Sequence, residues 1–457
     1  MKPNVLLIVC DEMRPFELGC YGGDTDMSPY IDRLASESYV FETAVTPNPV
    51  CTPARSCLLS GMYSRSASGN LFNCDAPACE RTAFPEKTMA EAFSEAGYDT
   101  VLTGKWHIPV HPETLGFHTA VFPKAHHLNS GQLYFRDGES FTVPGYAPDF
   151  ELELTKNELN KKRERPFFIY HNISLPHAPS FDVPERFRNK FDPRKTALRA
   201  NAFLDESEDN ARAFKVYLYD YLHYMGGDVR YDVLPDGFDL HSLSALYKGM
   251  ISAADEQVGT LLDMLEESGR SEDTIVAFLS DHGDTLGSHG RFFKENLWEE
   301  TVRVPMMVRY GKNFSPAHDL KTVASLIDIA PTLLSLAEIQ VPRRMEGIDL
   351  SNLMINGVSP ARDRVFIECT NRELAVRSGD CLYSVLTDWP DGEQYNQFVT
   401  DARYRFYDLE QDPYQMTNHA KSNYKADIAA DLRESVLEFQ KKPWFRPNER
   451  RLHVGEK

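Results

Sequence analysis

Val5-Leu6-Leu7-Ile8-Val9, running into Cys10-Asp11-Glu12, decides how the rest of this chain is read. Apolar residues in unbroken succession, without the alternation of a half-solvated strand, predict a strand buried on both faces, as in a parallel sheet covered by helices. Two acids stand at its carboxyl end. Thr274-Ile275-Val276-Ala277-Phe278-Leu279 repeats the pattern, and Ser280-Asp281-His282-Gly283-Asp284 follows it. Open α/β sheets bind ligands beyond the carboxyl ends of their strands, so these two acidic corners mark the expected site.

Outward from these runs, strand and helix signals alternate. Ser28 to Ser38 reads as a helix, with Ser28 as its cap and Pro29 at its first position. Thr88 to Ala96 reads as another, stopped by Gly97, and Tyr98 to Thr103 as a strand. Pro166 to Tyr170 starts a further strand. Ser242 to Glu267 is a long helix with Leu243, Leu246, Met250, Val258, Leu261, Leu262 and Leu265 on its apolar face. Val304 to Val308 reads as a strand, and Val323 to Ala337 as mostly helix with Pro331 inside. The expectation is an α/β fold with a mainly parallel central sheet flanked by helices, occupying residues 1–360. A small C-terminal α+β subdomain is expected over 361–457. Between about 110 and 165, and again between 178 and 240, the pattern breaks down. These stretches are expected to be long excursions from the sheet edge, where such folds build specificity.

With 457 residues, 42% of them hydrophobic and 11% aromatic, the chain buries a sizeable core, which excludes wholesale disorder. Lys and Arg number 49 against 68 Asp and Glu, a net charge of −19. That argues against a nucleic-acid or anionic-membrane partner, but not against a small anion held by a local cluster of cations. The longest apolar runs are strand-sized, far short of the roughly 20 residues of a membrane span. Met1-Lys2-Pro3-Asn4 leads directly into a strand, with no signal peptide. A cytoplasmic location follows if Met1 is native, a periplasmic or secreted one if a signal was removed. Eight cysteines are ordinary usage. Cys74 and Cys79 are near enough to bridge in an exported protein, but without an export signal two free thiols are favoured.

Further chemistry sits at other element ends. Cys51-Thr52-Pro53-Ala54-Arg55 places a cysteine at a helix start, where orphan amides and the dipole favour an anion, with Arg55 as a fork-shaped cation. Gly104-Lys105-Trp106-His107 follows a strand. Lys105 and His107, two apart, are expected to point the same way in an extended segment. Pro176-His177-Ala178-Pro179 holds a histidine between rigid prolines, and Phe292-Phe293-Lys294-Glu295 adds a lysine. Oxygen ligands from Asp11, Glu12 and Asp281 plus the His282 imidazole suit a hard or borderline divalent ion. Arg55, Lys105, His107, His177 and Lys294 suit a tetrahedral oxyanion next to it.

Cys51-Thr52-Pro53-Ala54-Arg55 resembles the C-x-P-x-R signature of type I sulfatases, within the alkaline-phosphatase-like superfamily. Gly104-Lys105-Trp106-His107 resembles the second signature of that family. Pro3 to Asp11, Ser280-Asp281-His282-Gly283 and Tyr407-Asp408-Leu409-Glu410-Gln411-Asp412-Pro413 resemble it too, in its order. The resemblance implies an alkaline-phosphatase-like fold and a sulfate-ester hydrolase acting on an aryl or carbohydrate sulfate. It implies that a formylglycine-generating enzyme oxidises Cys51 to formylglycine, whose hydrated gem-diol is the nucleophile. One divalent metal, calcium ahead of manganese or magnesium, would be held by Asp11, Asp281, His282 and the modified residue 51. Glu12 stands where many relatives have a second Asp and others Gln, and completes that set as a ligand. Arg55 and His107 would orient and activate the gem-diol. Lys105, His177 and Lys294 would bind the sulfate and bridging oxygen, with His177 donating the proton and Lys294 as its rival. The alternative is a phosphonate monoester hydrolase or phosphodiesterase of the same superfamily. A catalytically silent binding protein is the third reading, and the full set of charged residues counts against it. His126-His127, Tyr134-Phe135 and Tyr217 to Tyr224 either line an aryl or sugar pocket or are core contacts.

Overall fold

The computed structural model describes residues 2–67, 73, 84–123, 128–180, 183–204, 238–311, 313–369, 373–386 and 404–442. Among them, ten strands build one large sheet: β1 (Asn4–Asp11), β2 (Tyr39–Val45), β3 (Asp99–Gly104), β4 (Thr119–Pro123), β5 (Leu133–Arg136), β6 (Glu139–Thr142), β7 (Phe167–Pro176), β8 (Thr274–Ser280), β9 (Met306–Arg309) and β10 (Ala317–Ser325). Their order is β10-β2-β9-β8-β1-β7-β3-β4-β5-β6. β1 lies between β7 and β8, parallel to both, and β3 continues the parallel set beyond β7.

The apolar run that opens the chain explains the layering. Val5, Leu7 and Val9 point to one face, and Leu6, Ile8 and Cys10 to the other, all fully buried. The first face packs with helix α3 (Met89–Glu95) and helix α6 (Ile329–Leu336). The second packs with helix α1 (Pro29–Ser36), α4 (Ala147–Asn160) and the 28-residue α5 (Leu240–Glu267). Helix α2 (Cys51–Ser60) has all ten of its residues buried. A second, antiparallel sheet follows in chain order: β11 (Arg364–Glu368), β12 (Glu373–Ser378), β13 (Cys381–Leu386) and β14 (Tyr404–Asp408), covered by α7 (Ala426–Gln440). Its apolar residues share one cluster with Cys57 of α2 and with Tyr63 and Ile327, so the small sheet backs directly onto α2. No described helix is long and apolar enough to cross a membrane.

Several local expectations need correction. Val323 to Ser325 end a strand, and the helix begins at Ile329, so Pro331 falls in its first turn, where a missing N–H costs nothing. The strand near Val304 starts at Met306 and runs antiparallel to both β2 and β8. Ser28 sits at the start of α1, but its hydroxyl turns to Asp32, and Asp255 of α5 takes the backbone amides of Tyr30 and Ile31 instead. The stretch 110–165 is no loose excursion, since it supplies β4, β5, β6 and α4. Tyr134 is fully buried with its hydroxyl on Glu151, a core contact, while Phe135 stacks on Phe122. Cys74, Cys79, His126, His127 and Tyr217 to Tyr224 lie outside the described residues.

β1, β3, β7 and β8 end together, and each hands a side chain to the same place. One glycine makes this possible at β3. Gly104 has φ +80, and a Cβ there would lie 1.9 Å from the Asn172 carbonyl oxygen on β7. Gly104→Ala is therefore expected to cost about 2–4 kcal/mol. Chemical denaturation of both proteins checks this, and equal midpoints would show that the strand end relaxes freely.

Candidate active site

Four strand ends and one helix start converge. At the end of β1 stand Asp11 and Glu12, the latter in the left-handed region with φ 64. The Tyr247 hydroxyl of α5 donates to the Glu12 carbonyl at 2.5 Å, which fixes that turn. At the end of β8 stand Asp281 and His282, and Asp281 Oδ1 accepts from the Glu12 and His282 amides at 3.2 and 2.9 Å. Cys51 is the first residue of α2, so its sulfur sits over the positive end of the helix. Asn73 supplies a cap from another loop, its side-chain oxygen accepting from the Thr52 amide at 3.2 Å.

The Cys51 sulfur is the centre of the cluster. His282 Nε2 lies 3.2 Å from it, Lys294 Nζ 3.3 Å, Lys105 Nζ 3.4 Å and Asp11 Oδ1 3.8 Å. Asp11, Cys51, Asp281 and His282 each offer a donor atom, and these atoms all lie within 4.8 Å of one another in a fully buried site. Arg55, one turn along α2, faces the same carboxylates. Its Nε is 2.9 Å from Asp281 Oδ2, and its Nη1 donates to Asn172 Oδ1 at 2.7 Å. Lys105 Nζ pairs with Asp11, and Lys294 Nζ with Glu12.

Glu12 thus lies beside the four-donor group, its carboxylate between Lys294 and His177 Nε2, which is 3.5 Å away. His177 follows β7, and its Nδ1 is tied to the Ala178 carbonyl at 2.7 Å. Lys105 and His107 do not share an extended segment. The strand ends at Gly104, and His107 has φ 54, outside extended geometry. His107 is buried, and the Thr52 hydroxyl holds its carbonyl at 2.8 Å.

The electrostatics follow from burial against proximity. Burial pushes the Cys51 thiol up, but the ammonium groups of Lys105 and Lys294 overcome it and leave the thiol well below its ordinary range. Burial raises Glu12 despite Lys294. Burial also pushes His177 down to about 4, with Asp11 opposing. The arrangement is a set of hard and borderline donors on one side of residue 51 and three cations around it, suited to an oxyanion that is attacked at its centre.

Sequence reasoning missed Thr52, Asn73, Asn172 and Tyr247. Only Asn172 carried a signal, because His171-Asn172 interrupts an otherwise apolar strand.

The family model described as Sulfatase matches residues 3–339. This chain belongs to the sulfatase family. It is a sulfuric ester hydrolase with the alkaline-phosphatase-like fold, and membership implies a divalent metal and a formylglycine. The sulfatase match is followed by one to the C-terminal part of N-sulphoglucosamine sulphohydrolase over residues 287–442. The ulvan-active sulfatase of Formosa agariphila is 30% identical over 91% of this chain and 77% of its own length. The N-acetylglucosamine-6-O-sulfatase of Bacteroides thetaiotaomicron is 27% identical over 96% of this chain and 86% of its own. Among solved structures, a protein in complex with its substrate D-glucosamine-2-N,6-O-disulfate superposes with a TM-score of 0.75 at 23% identity, covering 96% of this chain and 98% of that one. The phosphonate monoester hydrolase of Agrobacterium radiobacter gives 0.74 at 22%, covering 96% and 95%. Likeness at that identity is likeness of fold.

The Arg55 guanidinium is the buried counter-charge of this sulfatase's Asp11 and Asp281. In protein treated with EDTA, Arg55→Ala is expected to lower stability by about 3 kcal/mol, with Arg55→Lys recovering part of it. Urea denaturation measures this, and a loss below about 1 kcal/mol would mean that Lys105 at Asp11 and His282 at Asp281 balance the two carboxylates without it.

Proposed function

We propose that this sulfatase removes the sulfate of a carbohydrate sulfate ester, using residue 51 converted from cysteine to formylglycine. The observation that carries the reading is the buried cluster in which Asp11, Cys51, Asp281 and His282 bring their donor atoms within 4.8 Å. Arg55, Lys105, Lys294 and His177 surround it. The relatives named as carbohydrate sulfatases support the saccharide.

Two carboxylates and an imidazole fit a divalent cation, and replacing the sulfur of residue 51 by the oxygen of a hydrated aldehyde makes the set better for a hard ion such as calcium. Glu12, raised on the same turn as Asp11, is the further carboxylate within reach. Bound there, the cation would lower the pKa of a hydroxyl on the modified residue 51 and neutralise charge on the sulfuryl oxygens, and the hydrated aldehyde would supply one hydroxyl as nucleophile and a second whose proton loss frees the sulfate.

The chain's own residues do the rest. Lys105 from the end of β3 and Lys294 from the loop after β8 converge on residue 51 and bind the sulfuryl oxygens. Arg55 and His107 hold residue 51 for attack. His177 gives its proton to the departing ester oxygen. Its Nδ1 is already committed to the Ala178 carbonyl, which leaves Nε2 as the working nitrogen. The negative charge of a bound ester opposes the burial that depresses this imidazole, so protonation rises with substrate present.

The direct test is an assay of paired aryl sulfate and aryl phosphonate esters on protein coexpressed with a formylglycine-generating enzyme. Sulfate turnover is expected to dominate, peptide mass spectrometry to find an aldehyde at residue 51, and Cys51→Ala to remove turnover while leaving a folded protein. Full activity with an unmodified thiol would sink the nucleophile, and dominant phosphonate turnover would move the reading to a phosphonate monoester hydrolase.

A second expectation concerns the proton. His177→Ala should lower kcat/KM by about 10²–10⁴-fold on a sugar sulfate and far less on nitrophenyl sulfate, whose leaving group needs little help. Similar losses on both esters, with the leaving-group dependence appearing in Lys294→Ala instead, would transfer the donor role to Lys294.

A further inference from the structure

Helix α4 buries polar side chains beside apolar ones. Leu159 joins the core cluster of the sheet, while Glu151 and Thr155 are buried too, the Thr155 hydroxyl against Thr103 of β3 and His171 of β7. Glu151 is 1% exposed. Its Oε1 accepts from the Tyr134 hydroxyl of β5 at 2.8 Å, and its Oε2 is buried with no hydrogen-bond partner among the described residues. Its carboxyl carbon lies 3.4 Å from where a Cβ of Gly104 would stand, directly behind the corner that delivers Lys105. On the far side of that corner, Arg55 donates to the Lys105 carbonyl at 3.3 Å and to Asn172.

We infer that Glu151 is a positioning residue which, by staying protonated, backs the Gly104–Lys105 corner without drawing the charge of Arg55 and Lys105 away from the substrate's sulfate. The inference rests on the proposed role of Lys105 in sulfate binding. A carboxylate buried with one hydrogen bond is costly, whereas a neutral carboxyl is tolerated. Burial accordingly pushes Glu151 up to about 8, against the Tyr134 hydrogen bond and the fields of Arg55 and Lys105. Those three are the titratable or charged groups that reach it from β5, α2 and the end of β3. From β7 comes His171, joined through the Thr155 hydroxyl, and burial pushes it down to about 4, so it is neutral at working pH. When Glu151 ionises, a negative charge forms behind the two cations and competes with the sulfate in front of them.

The sign is fixed by this geometry. Below about pH 8 the cations act at full strength, and above it anion affinity falls. Glu151→Gln keeps the shape and cannot ionise. The readout is the inhibition constant of inorganic sulfate against an aryl sulfate, measured between about pH 6 and 9.5 for active wild type and E151Q. The ratio of wild type to variant should be near one at the acid end and rise on the order of tenfold at the alkaline end, as one added charge several ångströms away requires. A ratio that is constant with pH, whatever its size, is what a merely structural role gives and overturns the inference. Tyr134→Phe provides an independent arm, because it removes the bond that favours the ionised form. Its alkaline loss should move up by about one pH unit, and an unmoved midpoint also overturns the inference. Lys105→Ala separates the two levels. If it weakens sulfate binding at every pH while E151Q tracks wild type, only Glu151 is misassigned; if it leaves sulfate binding unchanged, the assignment of Lys105 falls first.

Discussion

The Arg55 guanidinium is the charge around which this sulfatase closes. It is buried, and a buried cation must be compensated on every side. Asp281 at the end of β8, Asn172 on β7 and the Lys105 carbonyl beyond β3 each take part of it, with Asp11 of β1 3.9 Å away. One side chain thus fixes α2 against four parallel strands at their carboxyl ends. The position of Cys51, one turn back on the same helix, follows from that. A shift of α2 by a single residue would strand the guanidinium and carry the sulfur out of the cluster.

The small C-terminal sheet has a part in the same constraint. Cys57 on the opposite face of α2 packs into its core with Val376, Phe406 and Val436. Helix α2 is therefore clamped between polar contacts at the site and apolar contacts behind. Its composition, with two cysteines, three hydroxyls and a proline among ten residues, gives it no strong helical preference of its own. Tertiary packing holds it where propensity would not.

The legible part of the fold was the part with the simplest environment. β1 and β8 are buried on both faces, so their residues form apolar runs that need no partner to be recognised. β2, with Glu42 and Thr43 in it, and β10, an edge strand half exposed along its first residues, lack such runs and passed unread. The direction of β9 was not readable because local sequence carries no information on which way a short strand is paired. In the site, the charged residues at strand ends stood out because acids and bases there have no structural excuse. Thr52, Asn73, Tyr247 and Glu151 did not, since each acts through a contact to a distant element that only the folded chain reveals.

The complete burial of α2 has a consequence in time as well as in space. Once the helix has docked between its two sheets, the Cys51 thiol has no exposed surface for another enzyme to grip. Any protein catalyst that oxidises this thiol must meet it while the segment is still extended, before Arg55 finds its carboxylates. Under the proposed conversion of Cys51 to formylglycine by a separate enzyme, folding and maturation would compete for the same stretch of chain, and a mutation that merely hastens docking of α2 would leave a well-folded, stable and inert protein.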